Sequence, residues 1–355
     1  MANILQSTSQ YENWLRRQLG REVVEKDLQR KHDKMKESPF AFMRATYWRW
    51  AEIIFDVCPE AAHAPQVLAV GDIHLENFGT WRDVEGRLLW GVNDFDEAAR
   101  MPFLLDIIRL ATSGVVASPG RGLSAQDICG AILRGYRQGL GKPAPVVLDR
   151  ERQWLRQLVV VSEKERAEFW KKIEAASAEP APPRYRKALA ASMPERPTAM
   201  KTARRTAGVG SLGRPRWIGA AEWRGAPVVR EAKAVLTSSW HRASGRGDGK
   251  IRCGEIADGR YRAPDPWYRI TDGLIIRRLS PNNRKIEVGD KAVAAMSPRM
   301  LETMGLELAN VHLGTSNDRD AIERDLKRQK RGWLVASAKK MANTIKREFN
   351  EWQAA

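Results

Sequence analysis

Gly71-Asp72-Ile73-His74-Leu75-Glu76-Asn77, followed downstream by Asp94-Phe95-Asp96, is the stretch that decides how this chain is read. The apolar run Val67-Leu68-Ala69-Val70 leads into it and has the length and composition of a buried strand. Gly79-Thr80-Trp81, a polar turn over 83–86 and a second run over 87–92 then form a hairpin pattern. Asn77 follows Asp72 by five residues and precedes Asp94 by 17, room for one tight hairpin. Taken singly, each residue has a plain reading. An Asp after Gly or a lone Asn is usually a turn residue, and a His among apolar neighbours usually packs in a core. Taken together, a strand, a polar loop and a second strand that ends on two carboxylates place oxygen ligands and a proton acceptor in one neighbourhood.

Phosphoryl transfer requires that set. One carboxylate, here Asp72, orients the acceptor hydroxyl and accepts its proton, while Asn77 and Asp94 hold magnesium on nucleotide phosphates. The Asp-to-Asn spacing equals that of the protein-kinase catalytic loop. Asp96 reads either as a second metal contact or as a turn residue. His74 is assigned an architectural role. Asp106 and Arg109, at i and i+3 on the following helical run, are either an ordinary ion pair or a brace beneath the loop. Asp72-x-His74 also opens the signature of two-metal phosphoesterases. Those sites need several more His, Asp and Asn ligands, and only five histidines occur, none besides His74 in a ligand-like context.

A second constellation lies far downstream. Gly208-Val209-Gly210-Ser211-Leu212-Gly213 is a full G-x-G-x-x-G. Pro215 and the Trp217-Ile218 pair favour strand over helix after it, which argues against a dinucleotide fold and for a glycine hairpin over phosphates. The next strand-like run ends on Lys233, 25 residues after the first glycine. Gly208, Gly210, Ser211, Gly213 and Lys233 are thus the candidate nucleotide-binding residues, the alternative being a surface hairpin with an incidental lysine.

The remaining organisation is coarse. Helical spacing covers roughly 10–58, broken at Ser38-Pro39, then 103–116, 125–140, 150–178, 298–313 and 318–352. The Glu179-Pro180-Ala181-Pro182-Pro183 segment reads as a linker. Strand runs follow at 216–222 and 228–235. A glycine- and charge-rich loop is expected over 238–259, and a hairpin around Asp272-Gly273. The expected layout is a helical lobe at 1–178 with the catalytic loop, a linker at 179–187, a β-rich clamping lobe at 188–295, and C-terminal helices at 296–355 that pack back on the first lobe.

Composition narrows the classes. The chain has 355 residues, 43% hydrophobic and 29% charged, in the globular range. Sixty Lys and Arg against 43 Asp and Glu leave +17, which suits a phosphate-bearing or polyanionic partner. No zinc finger, helix-turn-helix or aromatic RNA-binding motif accompanies that charge. No apolar run reaches membrane-spanning length, the first residues turn polar at once, and three cysteines stand far apart, so a reducing cytoplasmic location is expected.

The Gly-Asp-x-His-x-x-Asn and Asp-Phe-Asp pair, extended by Asp94-Phe95-Asp96-Glu97-Ala98 and Asp106-Ile107-Ile108-Arg109-Leu110-Ala111, is similar to the aminoglycoside and choline kinase branch of the kinase-like superfamily. More closely, residues from about 20 to 315 resemble a bacterial family, domain of unknown function 2252. The stretches that carry this are Lys34-Met35-Lys36-Glu37-Ser38-Pro39-Phe40-Ala41-Phe42-Met43-Arg44, the 71–79 loop, 94–98 and 208–213. The resemblance implies an α+β, two-lobed protein kinase-like fold and no substrate; with the residues read above, the expected activity is an ATP- and Mg2+-dependent phosphotransfer to an unknown hydroxyl acceptor, small molecule or protein, with nucleotidyl transfer at the same site as a variant. Alternatives are a nucleotide-binding pseudokinase and a basic nucleic-acid-binding module. The order is inverted relative to kinases, since the catalytic loop precedes the glycine loop, and a circular permutation reconciles this. The helix over 300–313 then corresponds to the one that leads into the catalytic loop. Under permutation Lys233 and Asp94 must stand within roughly 10 Å, Arg214 and Arg216 flank the nucleotide entrance, and Glu255, Glu302 and Glu307 are candidates to pair Lys233.

Overall fold

The computed structural model describes residues 2–118, 122–245, 248–285 and 296–355. Residues 246–247 of the expected loop and 286–295 of the expected second lobe lie outside the described residues. The chain is a mixed α+β structure. Asn3 opens α1 (Ile4–Leu19) with a capping box to Gln6. Helices α2 (Glu25–Met35), α3 (Pro39–Ala45) and α4 (Tyr47–Val57) follow. Ser38 makes the break by accepting the Ala41 N–H, with Pro39 in the first turn where its missing donor costs nothing.

Strand β1 (Gln66–Ala69) enters the quoted loop, and β2 (Phe78–Arg82) and β3 (Leu88–Val92) form the hairpin after it. Strand β4 (Ala99–Pro102) pairs antiparallel with β1, so the chain returns past its own entry point and 71–98 becomes a closed excursion. Helix α5 (Leu104–Ala117) is buried along nearly its whole length and anchors the largest core, against α6 (Ala125–Gly141) and later helices. After the short β5 (Val146–Val147), the expected single helical run over 150–178 is two helices, α7 (Gln153–Val159) and α8 (Glu163–Glu174), because Ser162 starts a new capping box.

The proline-rich segment is not a solvated linker. Pro183 begins α9 (Pro183–Ala191), and Ala181 donates its N–H to Thr202 Oγ1 at 3.0 Å. A proline suits a first helical turn as well as a linker, and buried Tyr185 and Leu189 tie the helix to the sheet. That sheet has five antiparallel strands, β6 (Lys201–Arg204), β7 (Arg216–Trp223), β8 (Ala226–Ala234), β9 (Arg269–Thr271) and β10 (Leu274–Leu279), in the order β6-β7-β8-β10-β9. Two-residue turns with positive φ at Arg224-Gly225 and Asp272-Gly273 close its hairpins. The 238–259 stretch is also not a plain loop. Within it, α10 (Ser239–Ser244) and α11 (Cys253–Ala257) bury Trp240 and Ile256 in the large core.

Helix α12 (Pro298–Gly314) packs along α6 and against β1, while α13 (Arg319–Arg328) and α14 (Trp333–Gln353) complete the helical region, α14 lying on α5. Among the described residues, no helix is long and apolar enough to cross a membrane. Cys58, Cys129 and Cys253 are buried free thiols.

Candidate active site

The catalytic-loop candidate is held from below. Asp106, fully buried on α5, accepts the N–H groups of Val70 (2.7 Å) and Gly71 (2.9 Å). It also meets His312 Nε2 at 3.1 Å, whose Nδ1 meets the Tyr136 hydroxyl at 2.8 Å. Thus α12 braces the loop through His312, a residue that the sequence reading set aside as lacking a ligand-like context. Gly71 turns the chain at φ +78°, and a Cβ there would strike the Glu97 carbonyl and stand 2.7 Å from the Tyr47 hydroxyl.

Asp106 and Arg109 are not an ion pair with each other. Arg109 runs beneath the loop over the rings of Tyr47 and Trp50 and pairs with Asp72 Oδ1. Burial raises the Asp72 pKa to about 6, against the pull of Arg109. A carboxylate so placed is a proton acceptor near neutrality. His74 accepts the Glu76 N–H on Nδ1 at 3.1 Å, and burial, with Arg44 next, holds its pKa well below the usual value. It is a neutral cap of its own turn.

Asn77 donates Nδ2 to the carbonyls of Asp72 (3.0 Å) and Asp94 (3.1 Å), so one amide ties the two halves of the motif. That fixes Oδ1 on the other side, buried and without a hydrogen bond among the described residues. Asp96 Oδ1 is buried and unpartnered in the same way. Burial works against the charge on Asp94, but Lys233, Lys285 and Arg277 outweigh it and hold its pKa well below the usual carboxylate range. Asp96 is pushed up by burial and by Asp94. Two orphaned oxygens beside an ionised carboxylate fit a magnesium ion. Among the described residues no three His, Cys, Asp or Glu side chains gather at ligand spacing, and magnesium on phosphates needs only one or two protein carboxylates.

The second constellation arrives at this place. Residues 208–213 lie between antiparallel β6 and β7, and β8 follows with Lys233. The Lys233 ammonium is buried, 3.5 Å from Asp94 Oδ1 and paired with Asp96 Oδ2. A Cβ at Gly210 would lie 3.1 Å from Asp72 Oδ2, so the glycine loop rests directly on the catalytic loop. Gly208, Gly210 and Ser211 line one small cavity with Asp72, Asn77, Asp94 and Asp96. Gly213 does not line it; it packs against Leu15 and Leu28 of the N-terminal helices.

Several residues escaped the sequence reading. Lys285 Nζ stands 3.4 Å from Asp94 Oδ2, the oxygen other than the one Lys233 faces. Glu97 accepts the Ser239 N–H (2.6 Å) and Arg214 Nη2 (2.9 Å), tying the Asp-Phe-Asp turn to the second half. Lys31 of α2 donates to the Gly210 carbonyl at 2.9 Å, and the Val24 N–H to that of Gly213 at 3.0 Å. No local pattern announces these contacts, because each joins segments far apart in the chain. Arg214 and Arg216 do not flank an entrance; both are buried, Arg214 on Glu97 and Arg216 on Glu231. None of the three glutamates proposed for Lys233 reaches it. Glu255 pairs Arg252, Glu302 pairs Arg134 and Glu307 pairs Arg262. The 25-residue spacing said nothing about which acid would be free.

A larger cavity of about 340 Å³ opens beside the small one, sharing Arg44, Asp94, Gly208 and Lys285 with it and extending past Tyr268, Trp81 and Phe95. The volume lies within the range for a small-molecule site.

No curated protein and no solved structure matches the chain. The family model described as "Uncharacterized protein conserved in bacteria (DUF2252)" matches residues 21–202. That segment holds the catalytic-loop candidate, Asp94 to Glu97 and α5, and stops short of the glycine loop and Lys233, which were expected within it. Half of the chain being covered by that match, the protein belongs to the DUF2252 family of bacterial proteins.

Proposed function

We propose that this protein is an ATP- and magnesium-dependent phosphotransferase of circularly permuted, kinase-like build, acting on a hydroxyl acceptor. The observation that carries the reading is the convergence of Lys233 on Asp94 and Asp96 while Gly210 lies on Asp72. Two segments that have no reason to meet in a pair of independent domains close on one cleft. In this reading the acceptor oxygen forms a bond to the γ-phosphorus, the bond from phosphorus to the bridging oxygen breaks, and ADP leaves. Asp72 takes the hydroxyl proton, its own pKa near 6 leaving it ionised at neutral pH. Arg109 fixes the carboxylate from beneath. Asn77 Oδ1, Asp94 and Asp96 would hold magnesium, which supplies neutralisation of phosphate charge when bound. Lys233 then exchanges its carboxylate partners for phosphate oxygens.

A second reading, a nucleotide-binding pseudokinase, is favoured by one observation: among the described residues, Lys233 has acids of the proposed metal site as partners and no separate glutamate. One experiment separates the two. The purified chain is incubated with Mg·ATP labelled on the γ-phosphate and with fractionated metabolite and protein pools. Label in an acceptor, lost in Asp72→Asn, is the expected result. ATP binding without label transfer to any pool, identical in wild type and Asp72→Asn, would leave the pseudokinase reading standing in its place.

A further inference from the structure

The cleft face of the five-stranded sheet carries more positive charge than the site described above uses. Glu231 on β8 is fully buried, and three guanidiniums share its carboxylate. Arg216 Nη1 donates to Oε1 at 2.9 Å, Arg277 Nε donates to the same oxygen at 2.7 Å, and Arg205 pairs with Oε2. Among the described residues, one carboxylate against three guanidiniums leaves two formal charges in excess. The nearest acid of the metal site, Asp94, is already engaged by Lys233 and Lys285. Arg216 is buried while Arg205 and Arg277 are half-buried, so the excess charge faces the cavity and favours an anion there.

The placement points the same way. Arg277 is directly opposite Glu231 in the β8–β10 register, and Lys233 is two residues beyond Glu231 on the same strand face. Arg205, Arg216 and Arg277 all line the 340 Å³ cavity that also reaches Asp94 and Lys285. Arg216 spends its second terminal nitrogen on Ser211 Oγ at 2.8 Å, which links the cluster to the glycine loop. Arg277 Nη1 and Nη2 and Arg205 Nη2 carry no hydrogen bond among the described residues, and both side chains are partly exposed. Guanidinium forks with free terminal nitrogens are the standard partners of phosphate oxygens.

We propose that Arg205 and Arg277, held on Glu231 beside Arg216, form a phosphate subsite in the larger cavity, taking a dianionic phosphoryl group of a bound ligand beside the Asp94 site. The subsite needs no magnesium and does not itself require phosphoryl transfer. Only the assignment of its phosphate, to the nucleotide's own chain or to a phosphorylated acceptor, rests on the phosphotransferase reading. Glu231 is the keel that holds the three forks: with one of them removed it is still fully compensated by the other two.

The test is titration calorimetry of the full chain with inorganic phosphate and pyrophosphate, at low salt with EDTA present. Pyrophosphate should bind wild type, and Arg205→Met and Arg277→Met should each weaken it about ten-fold or more. Equal pyrophosphate affinity in wild type and both arginine variants would overturn the subsite, as would an absence of binding to wild type. Should Arg277→Met fail to fold, Arg277→Lys keeps the charge, loses the fork and should bind more weakly than wild type; unchanged binding counts against the proposal. A second arm finds the source. If saturating pyrophosphate weakens binding of Mg·ATP, the subsite serves the donor. If both bind together, it serves a phosphorylated second substrate. Failure of the phosphotransferase reading would show separately, as loss of any magnesium-dependent ATP effect with magnesium-free pyrophosphate binding intact.

Discussion

The Lys233 ammonium lies 3.5 Å from Oδ1 of Asp94, although one ends a strand of the five-stranded sheet and the other follows a hairpin in the first half of the chain. The pair offsets the burial that works to raise the carboxyl's pKa, and so keeps the proposed metal ligand ionised.

Magnesium should therefore matter only together with nucleotide. ATP is expected to raise the melting temperature with magnesium and much less without it. Asp94→Ala should remove the magnesium-dependent part, as should Asn77→Ala, whose Oδ1 is the orphaned amide oxygen. Differential scanning fluorimetry checks this, and an undiminished shift in Asp94→Ala would rule out the metal assignment.

Turnover should depend on the ionisation of Asp72. Because burial sets its pKa at about 6, kcat/KM should rise as pH increases through that value and level off above it. Asp72→Asn should lower kcat by about 10²–10⁴ with ATP affinity near normal, and should abolish the acidic limb. Stability has the opposite sign. A carboxyl whose folded pKa lies above its unfolded one binds extra protons in the native state. Its contribution is greatest in acid and declines as pH rises from about 4 to about 6.

Lys31 supplies a second pH signature. Burial, with Arg214 next, lowers its pKa to about 7, while its Nζ holds the Gly210 carbonyl. Between that value and the ordinary lysine range, the unfolded chain binds a proton that the native state has lost, so stability should rise with pH across that window. Lys31→Met should flatten the rise and raise KM for ATP through a looser glycine loop. Denaturant melts at pH 7 and pH 9, with kinetics, measure both.

The bracing beneath the loop should be costly to remove. Asp106→Ala strips two buried N–H groups of a charged acceptor and should destabilise by about 3 kcal/mol or more. Gly71→Ala combines positive φ with a Cβ that has no room, and should cost roughly 2 kcal/mol or more. In contrast His312→Gln, which leaves Asp106 its two backbone donors, should be milder. Urea midpoints order the three.

Local pattern was sufficient for most elements. Strand β1, the β2–β3 hairpin, α5, α12 and the β7–β8 pair are where periodicity and turn residues place them, because each is set by its own alternation and by Gly or Pro at its ends. Asp72, Asn77, Asp94 and Asp96, named from residue type and spacing, sit within one short excursion between β1 and β4. Local pattern misread 179–187 and 238–259. Prolines, glycines and charges mark helix starts as readily as linkers, and what made α9 and α10 helical was the burial of Tyr185 and Trp240 against surfaces the local sequence does not contain.

The pairing of the site was decided by tertiary structure alone. A lysine's partner depends on which carboxylate the folded chain brings within reach, so Lys233 found Asp94 and Asp96 and none of the glutamates named for it. Lys285, Glu97, Lys31 and the three arginines on Glu231 enter for the same reason. Residue type and spacing are properties of a segment and survive in the sequence. Charge compensation in a buried cleft is a property of the distances between segments, and only the packed molecule sets those.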